Sequence, residues 1–187
     1  MPMVTLRPIR RSIFVGIDPG KKGGIAAISR SGNVLLSEVM PESDLDLWNI
    51  VKNLCWALDD DPAEPYICIE KVSTSPQMGV VSAGTFMEGY GRLRMALTAA
   101  EYRFMEVRPQ VWQSSLGIPK RINKGPKKET DHAWKDRLRK KAQQLFPRGF
   151  VQDNEKIPWG MMTLEVERSI SDALLIAHYC KQFAFRE

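Results

Sequence analysis

The chain has 187 residues, a length typical of one domain. Hydrophobic residues make up 43% of it and charged residues 26%, which excludes a wholly disordered chain. There is no run of about 18 apolar residues, so the sequence predicts no membrane-spanning helix. Three cysteines without a CxxC pair and only two histidines argue against a structural zinc site and a disulfide scaffold. We therefore expect an intracellular, cytoplasmic protein.

The net charge of +5 is unevenly distributed along the chain. Residues 118–141 include ten basic and three acidic residues, a net charge of +7. The rest of the chain, with 17 basic and 19 acidic residues, therefore carries −2. Such clustering is typical of a surface that binds a phosphate backbone, although a solvated helix face has a similar composition.

Short apolar segments separated by tight turns open the chain. They predict strands at Ser12–Asp18, Gly24–Ser29 and Val34–Met40. These strands must pair antiparallel, because their connections are too short for a parallel crossover. Ser43 is a suitable N-cap for a helix that runs to about Leu58.

Strands and helices alternate in the second half of the chain. The patterns predict a strand at Tyr66–Val72, a helix at Ala83–Ala100, a strand at Phe104–Val107, a loop containing Trp112, and helices at Lys127–Phe146 and Ser171–Phe183. This order predicts one α/β domain spanning residues 1–187, with helices on both faces of a mixed five-stranded sheet. Its three antiparallel strands are followed by two parallel ones.

Three acids interrupt apolar segments. Asp18 ends the first strand, Glu70 breaks an otherwise apolar strand, and Asp172 precedes an apolar helical run. An unpaired buried carboxylate is costly, so three acids that meet at one cation are more economical than three separate burials. Oxygen ligands without a His or Cys cluster favour Mg²⁺ or Mn²⁺. The alternative is that each acid is a strand end, a helix cap or an ion-pair partner on its own.

The ordered motifs around these acids resemble the RuvC-like Holliday junction resolvases, which have the ribonuclease H fold. The three catalytic segments of that family are similar to Gly16–Gly20 with Gly23–Ala26, Ile69–Val72 and Ser171–Ala177. The phage and prophage branch adds segments similar to Gly84–Leu93, Val107–Trp112 and Leu116–Ile118. The resemblance covers nearly the whole chain.

The resemblance implies that Asp18, Glu70 and Asp172 are catalytic metal ligands. It also implies a fourth ligand, acidic or His, three to five residues before the last Asp. Ser169 is three residues before Asp172, but a hydroxyl is a poor magnesium ligand. Glu167 is the preferred alternative and Glu165 the next. Two Mg²⁺ or Mn²⁺ ions per site, about 4 Å apart, would activate water and stabilise the leaving oxygen.

In such a resolvase the basic segment at about residues 118–141 would bind DNA. The expected phosphate contacts are Lys120, Arg121, Lys124, Lys127 and Lys128, with Arg108 and Gln110 as further DNA contacts or caps of the sheet. One of Lys124, Lys127 and Lys128 would stabilise transition-state charge, and the sequence does not choose among them. Trp112 and Trp134 are either base-stacking residues or core and interface aromatics.

These observations predict a metal-dependent endonuclease that resolves Holliday junctions or branched DNA by paired phosphodiester hydrolysis. Paired cuts require two sites related by a two-fold axis and hence a homodimer. The helix at Ala83–Ala100 is expected to form part of the interface, so charged residues at Met87 or Leu93 should give monomers; the alternative is that this helix only packs on the sheet. We expect no membrane and no small-molecule cofactor, and action in a host cytoplasm if the chain is phage-encoded. The alternatives are a ribonuclease H-like nuclease of RNA–DNA hybrids and a catalytically impaired junction-binding module.

Overall fold

A mixed five-stranded sheet, in the order β3-β2-β1-β4-β5, forms the centre of the structure. The computed structural model describes residues 12–56, 63–72 and 79–183. β1 pairs antiparallel with β2, and β2 with β3, whereas β4 is parallel to both β1 and β5. The predicted sheet is therefore confirmed. Its strands are β1 (Ser12–Asp18), β2 (Gly24–Ser29), β3 (Val34–Val39), β4 (Glu64–Glu70) and β5 (Phe104–Val107).

Helices cover both faces of this sheet, and each face has its own apolar core. One face packs against α1 (Asp44–Lys52) and α2 (Val80–Ala99), and the other against α3 (Pro109–Ser115), α4 (Asp131–Leu145) and α5 (Leu164–Phe183). A short 3₁₀ helix, Leu54–Trp56, follows α1. A hairpin of β6 (Phe150–Gln152) and β7 (Glu155–Ile157) lies between α4 and α5. Within the described residues, no helix combines the length and apolarity of a membrane span.

The position of α5 is set by a close contact with β1. Side chains alternate along a strand, so Phe14 and Gly16 face α5 while Ile13 and Val15 face the opposite core. A Cβ atom at Gly16 would lie 2.1 Å from the backbone nitrogen of Ala177. Only glycine therefore allows the backbone of α5 to lie directly on β1, and this contact carries α5 across the sheet towards the end of β1.

The first helix confirms its predicted start, because the Ser43 side chain accepts a hydrogen bond from the Asp46 backbone N–H, as an N-cap does. The helix ends earlier than predicted, at Lys52, with Asn53 as its C-cap. The predicted end near Leu58 lies outside the described residues.

Other predicted bounds were wrong as well. β4 spans Glu64–Glu70 instead of the predicted Tyr66–Val72, and α2 begins at Val80 instead of Ala83. Trp112 lies in α3 rather than in a loop, because Pro109 occupies the first helical turn, where a missing N–H costs nothing. α4 begins after its N-cap, Thr130, and not at Lys127. α5 begins at Leu164, seven residues before the predicted start. The β6–β7 hairpin was not predicted, since each of its strands has only three residues.

Ser37 joins the edge strand β3 to β6. Its side chain is fully buried, donates a hydrogen bond to the Val151 carbonyl (2.6 Å) and accepts one from the Val151 N–H (3.0 Å). One hydroxyl thus satisfies both backbone polar groups of Val151, and β6 covers an edge that is otherwise open to pairing.

We expect Ser37→Ala to lower the free energy of unfolding by about 1–3 kcal/mol, because it removes the hydrogen-bond partner of two part-buried backbone groups of Val151. Urea unfolding followed by circular dichroism would measure this loss. Ser31→Ala, which removes an exposed hydroxyl in the β2–β3 turn, is the matched control. Equal stabilities of the two variants would contradict the assigned role of Ser37.

Candidate active site

Asp18 and Glu70 are the last residues of two neighbouring parallel strands. The register of β1 and β4 places Gly16 opposite Cys68 and Ile17 opposite Ile69. Because side chains alternate, Asp18 and Glu70 follow Gly16 and Cys68 on the face that α5 covers. Both carboxylates therefore lie at the carboxyl ends of their strands and on the same face of the sheet.

A tight turn after β1 holds the Asp18 side chain. The Gly20 N–H donates to Asp18 Oδ1 (3.2 Å), and the Gly23 N–H closes the turn on the Gly20 carbonyl (2.8 Å). A Cβ atom at Gly23 would lie 2.1 Å from the Asp18 carbonyl oxygen. Glycine at this position thus lets the chain fold back beside Asp18.

Asp172 and Lys135 complete the cluster from two helices. Asp172 is buried on α5, and Lys135 of α4 donates a hydrogen bond to its Oδ2. The same Lys135 ammonium lies 3.8 Å from Asp18 Oδ2. One cation thus bridges carboxylates from the sheet and from α5.

Glu70 has a different partner. Its Oε2 accepts a hydrogen bond from the Trp112 indole N–H at 2.8 Å. Trp112 belongs to α3 and is only 1% exposed, so the hydrogen bond is shielded from water. Trp112 is thus a core aromatic with a polar contact to the candidate site, which agrees with the core alternative for this residue.

The electrostatics of the cluster are those of crowded, desolvated acids. Burial, together with the negative charges of Asp18 and Asp172, raises the pKa of Glu70 to about 8. Burial also raises the pKa of Asp172 to about 6, although the Lys135 ammonium opposes this rise. Burial lowers the pKa of Lys135, but Asp172 and Asp18 outweigh it and raise the pKa above its usual value. Three acids thus share one ammonium.

The donor set suits a hard divalent cation. Asp172 Oδ1 is buried and accepts no hydrogen bond from any residue that the structure describes. Carboxylate oxygens are the ligands that Mg²⁺ and Mn²⁺ prefer. As the side chains stand, no group of three His, Cys, Asp or Glu residues among those described is arranged to hold a metal ion. The Lys135 ammonium is the cation that contacts Asp18 and Asp172 in this arrangement.

Comparison with known proteins shows the fold. The sequence matches no protein-family model and no curated protein. The structure of Thermus thermophilus RuvC in complex with a Holliday junction substrate is similar, with a TM-score of 0.56 and 15% identity, covering 90% of this chain and 91% of that one. A second Thermus thermophilus RuvC structure has a TM-score of 0.55 and 16% identity, covering 89% and 92%. The chain has the fold of RuvC. The predicted ribonuclease H-like architecture is thereby confirmed.

The RuvC fold brings the three predicted acids together, but it does not bring either predicted fourth ligand to them. Glu167 is fully buried, and its carboxylate accepts from Arg139 Nη1 (2.9 Å) and from the Gly160 N–H. Glu165 is exposed and pairs with Lys22 (2.7 Å). Each of these two acids is thus paired with a basic residue in the structure.

Ser169 occupies the helix position three residues before Asp172, and its hydroxyl is already used. It donates within hydrogen-bond distance of the Lys22 carbonyl (2.8 Å) and of the Glu165 carbonyl (3.0 Å). Ser169 therefore ties α5 to the turn after β1. Its hydrogen bond to Lys22 thus helps to hold the turn that follows Asp18.

Five of the predicted DNA contacts lie in the loop between α3 and α4, namely Lys120, Arg121, Lys124, Lys127 and Lys128. Arg121 is held inside this loop by Asp131 and by the Glu129 carbonyl (3.3 Å). Arg108 and Gln110 are exposed at the start of α3. The other predicted residues are exposed and form no salt bridge within the described part of the chain; they are Lys120, Lys124, Lys127 and Lys128.

The sequence analysis predicts Lys124, Lys127 or Lys128 beside the acids. The structure places a different lysine, Lys135, next to Asp18 and Asp172. Its spacing carries a usable pattern. Lys135 precedes the buried residues Leu138 and Ala142 by three and seven positions, so it shares their helix face. A lysine on the apolar face of a helix needs a buried anion, and Asp172 supplies one.

A separate ionic network joins α4 to α5 beside this lysine. Arg139 pairs with Glu167, and Asp136 accepts a hydrogen bond from Arg168 Nε (3.0 Å) and lies 3.9 Å from Arg139 Nε. Glu167 is fully buried, so its charge is balanced mainly by Arg139. The network fixes how α4 lies on α5 and hence where Lys135 meets Asp172.

Proposed function

We propose that this chain is a metal-dependent, structure-selective endonuclease that resolves Holliday junctions or other branched DNA by paired phosphodiester hydrolysis. The observation that carries the proposal is the convergence of Asp18, Glu70 and Asp172 at one edge of a RuvC-fold sheet. The similar Thermus thermophilus RuvC structure contains a Holliday junction substrate, which supports four-way DNA as the substrate class. The proposal includes one nuclease domain over residues 1–187 with its basic segment at about 118–141.

Asp18, Glu70 and Asp172 would hold Mg²⁺ or Mn²⁺, two ions per site. When bound, such ions activate water for attack on the phosphodiester and stabilise the leaving oxygen. The protein contributes the fixed carboxylates and a water-poor site. Lys135 would turn from the carboxylates to the phosphate, where a positive charge stabilises the charge that develops in the transition state.

The exposed lysines of the α3–α4 loop would contact the DNA backbone on the way to this site. The loop leads directly into α4, whose first two turns carry Lys135 to the acids. Each phosphate contact releases counterions, so binding through these lysines should weaken steeply as salt increases.

We expect replacement of Lys127 and Lys128 by alanine to flatten the plot of log affinity against log salt by about 0.9 for each phosphate that is no longer neutralised. Fluorescence anisotropy with a labelled four-way junction in EDTA, at several salt concentrations, would measure the slope. Lys52→Ala, on α1 at the opposite face of the sheet, is the control and should leave the slope unchanged. An unchanged slope in the double variant would remove this loop from the DNA-binding surface.

Paired cuts would require a homodimer, and the exposed side of α2 is the proposed interface. Val80 (89% exposed), Val81 (83%) and Met87 (44%) leave an apolar surface on its first half. Leu93, by contrast, is 1% exposed and packs under the helix against the sheet. The expectation that a charge at Leu93 yields monomers is therefore wrong, because that change would disrupt the chain's own core.

We expect Val81→Glu with Met87→Glu to give a folded monomer, since two charges would be buried in the interface without partners. Light scattering after size exclusion should report about twice the 21.3 kDa chain mass for the wild type and the single chain mass for the variant. Met105→Glu, at an exposed methionine of β5, should leave the mass unchanged. A dimeric double variant would exclude this face.

The proposed function is tested by incubating the wild type with a labelled four-way junction, a duplex of the same sequence and an RNA–DNA hybrid, in Mg²⁺ and in EDTA. Paired, symmetric cuts in the junction alone, abolished by EDTA, are expected. Preferential cleavage of the hybrid would identify a ribonuclease H-like enzyme instead. Tight junction binding without cuts in Mg²⁺ or Mn²⁺ would identify the binding module. The missing activity would then be attributed to Ser169, a poor metal ligand whose hydroxyl already hydrogen-bonds to the Lys22 carbonyl.

A further inference from the structure

We propose that Trp112 is a positioning residue that orients Glu70 towards the cation site. Its indole N–H donates to Glu70 Oε2 at 2.8 Å, so Oε1 would be the oxygen that binds the cation. The inference rests on the proposed function only in that Glu70 is a metal ligand. It does not depend on which nucleic acid is cut.

The scaffold around Trp112 is rigid. β4 and β5 are joined at their ends by the Lys71 N–H, which donates to the Val107 carbonyl (2.7 Å), and α3 begins directly after this point. The Trp112 carbonyl accepts from the Leu116 N–H (3.1 Å) and the ring is buried in the core shared with α5. The indole N–H is therefore fixed with respect to the end of β4.

Glu70 needs such a support more than the other two acids do. Asp18 accepts a hydrogen bond from the Gly20 N–H, and Asp172 accepts one from Lys135. Among the described residues, the hydrogen bond to the Glu70 side chain comes from Trp112. A glutamate has three side-chain torsions and loses more conformational entropy than an aspartate when it is ordered. Because an indole nitrogen only donates, it bonds a carboxylate oxygen and cannot compete as a metal ligand.

Mutating a residue that hydrogen-bonds to a metal ligand typically lowers metal affinity tenfold to a hundredfold. We therefore expect Trp112→Phe, which keeps an aromatic ring and removes the donor, to weaken Mn²⁺ binding about tenfold or more. Isothermal titration of the DNA-free chain with Mn²⁺ would measure this without any cleavage assay.

The matched control is Trp159→Phe. Trp159 also donates its indole N–H, to the Phe146 carbonyl at 2.8 Å, and its ring packs against Phe150 of the hairpin, so its hydrogen bond goes to a backbone group and not to one of the three acids. It should bind Mn²⁺ like the wild type. Equal Mn²⁺ affinity of Trp112→Phe, Trp159→Phe and wild type would overturn the proposal even if junction cleavage by the wild type is established.

A measurement on the unaltered tryptophan applies even if Trp112→Phe does not fold. In the ¹⁵N-labelled wild type, the Trp112 indole resonance should shift on addition of Mg²⁺, and Glu70→Ala should abolish that shift. An indole resonance that does not move while Mg²⁺ binds would overturn the proposal. Metal binding that depends on Trp112 without junction cleavage would retain this inference and refute the proposed function; no metal binding at all would refute both.

Discussion

Asp172→Asn is expected to reduce cleavage of a four-way junction by at least about a thousand-fold. A divalent ion supplies several kcal/mol of transition-state stabilisation, and each ~1.4 kcal/mol corresponds to a tenfold change in rate. Asparagine keeps the shape of the side chain but removes the charge that pairs with Lys135 and that would hold the metal. Single-turnover cleavage in Mg²⁺ measures the loss.

Binding separates a catalytic role of Asp172 from a structural one. In EDTA the variant should bind the junction about as tightly as the wild type, because the acid is buried and the proposed phosphate contacts lie in the α3–α4 loop. Asp153→Asn is the matched control, an exposed aspartate in the β6–β7 turn with φ of 50°, a conformation that asparagine accepts. Cleavage by Asp172→Asn at the wild-type rate would refute the proposed metal site.

Arg139→Met is expected to lower the free energy of unfolding by about 3–5 kcal/mol. The variant leaves the fully buried Glu167 without its cationic partner, and an uncompensated buried charge is strongly destabilising. Urea unfolding of the DNA-free chain measures the change. The loss comes from the isolated Glu167 carboxylate, so it should exceed the effect of breaking an exposed ion pair.

The double variant Arg139→Met, Glu167→Leu tests this interpretation. If the penalty comes from the isolated carboxylate, removing the carboxylate as well should restore most of the stability. Lys22→Met breaks the exposed pair with Glu165 and should leave stability unchanged within error. A double variant as unstable as Arg139→Met would show that the arginine acts through packing instead.

The parts of the fold that the sequence predicted depend on local pattern. The strands at Ser12–Asp18 and Gly24–Ser29 follow from apolar runs between glycine-rich turns, and their antiparallel pairing follows from loop length alone. The predictions that failed, at α3 and at the starts of α4 and α5, concern where a helix begins. There tertiary packing decides whether a segment is helical.

The same distinction holds for the candidate site. Asp18 and Glu70 were predictable because Asp18 ends one apolar strand and Glu70 interrupts another, and an unpaired buried acid is costly. Glu167 was a reasonable fourth ligand by spacing, but its partner Arg139 lies on another helix. No spacing along the chain reveals that this acid is already neutralised.

The sequence by itself thus determined the mixed sheet, the placement of two carboxylates at its edge and the concentration of basic residues before and within α4. Only the tertiary structure decided that Lys135 enters the cluster, that Trp112 holds Glu70 and that Glu167 is committed to Arg139. The physical reason is that hydrogen bonds and ion pairs depend on distances of about 3 Å between side chains, and these distances are set by how α3, α4 and α5 pack on the sheet.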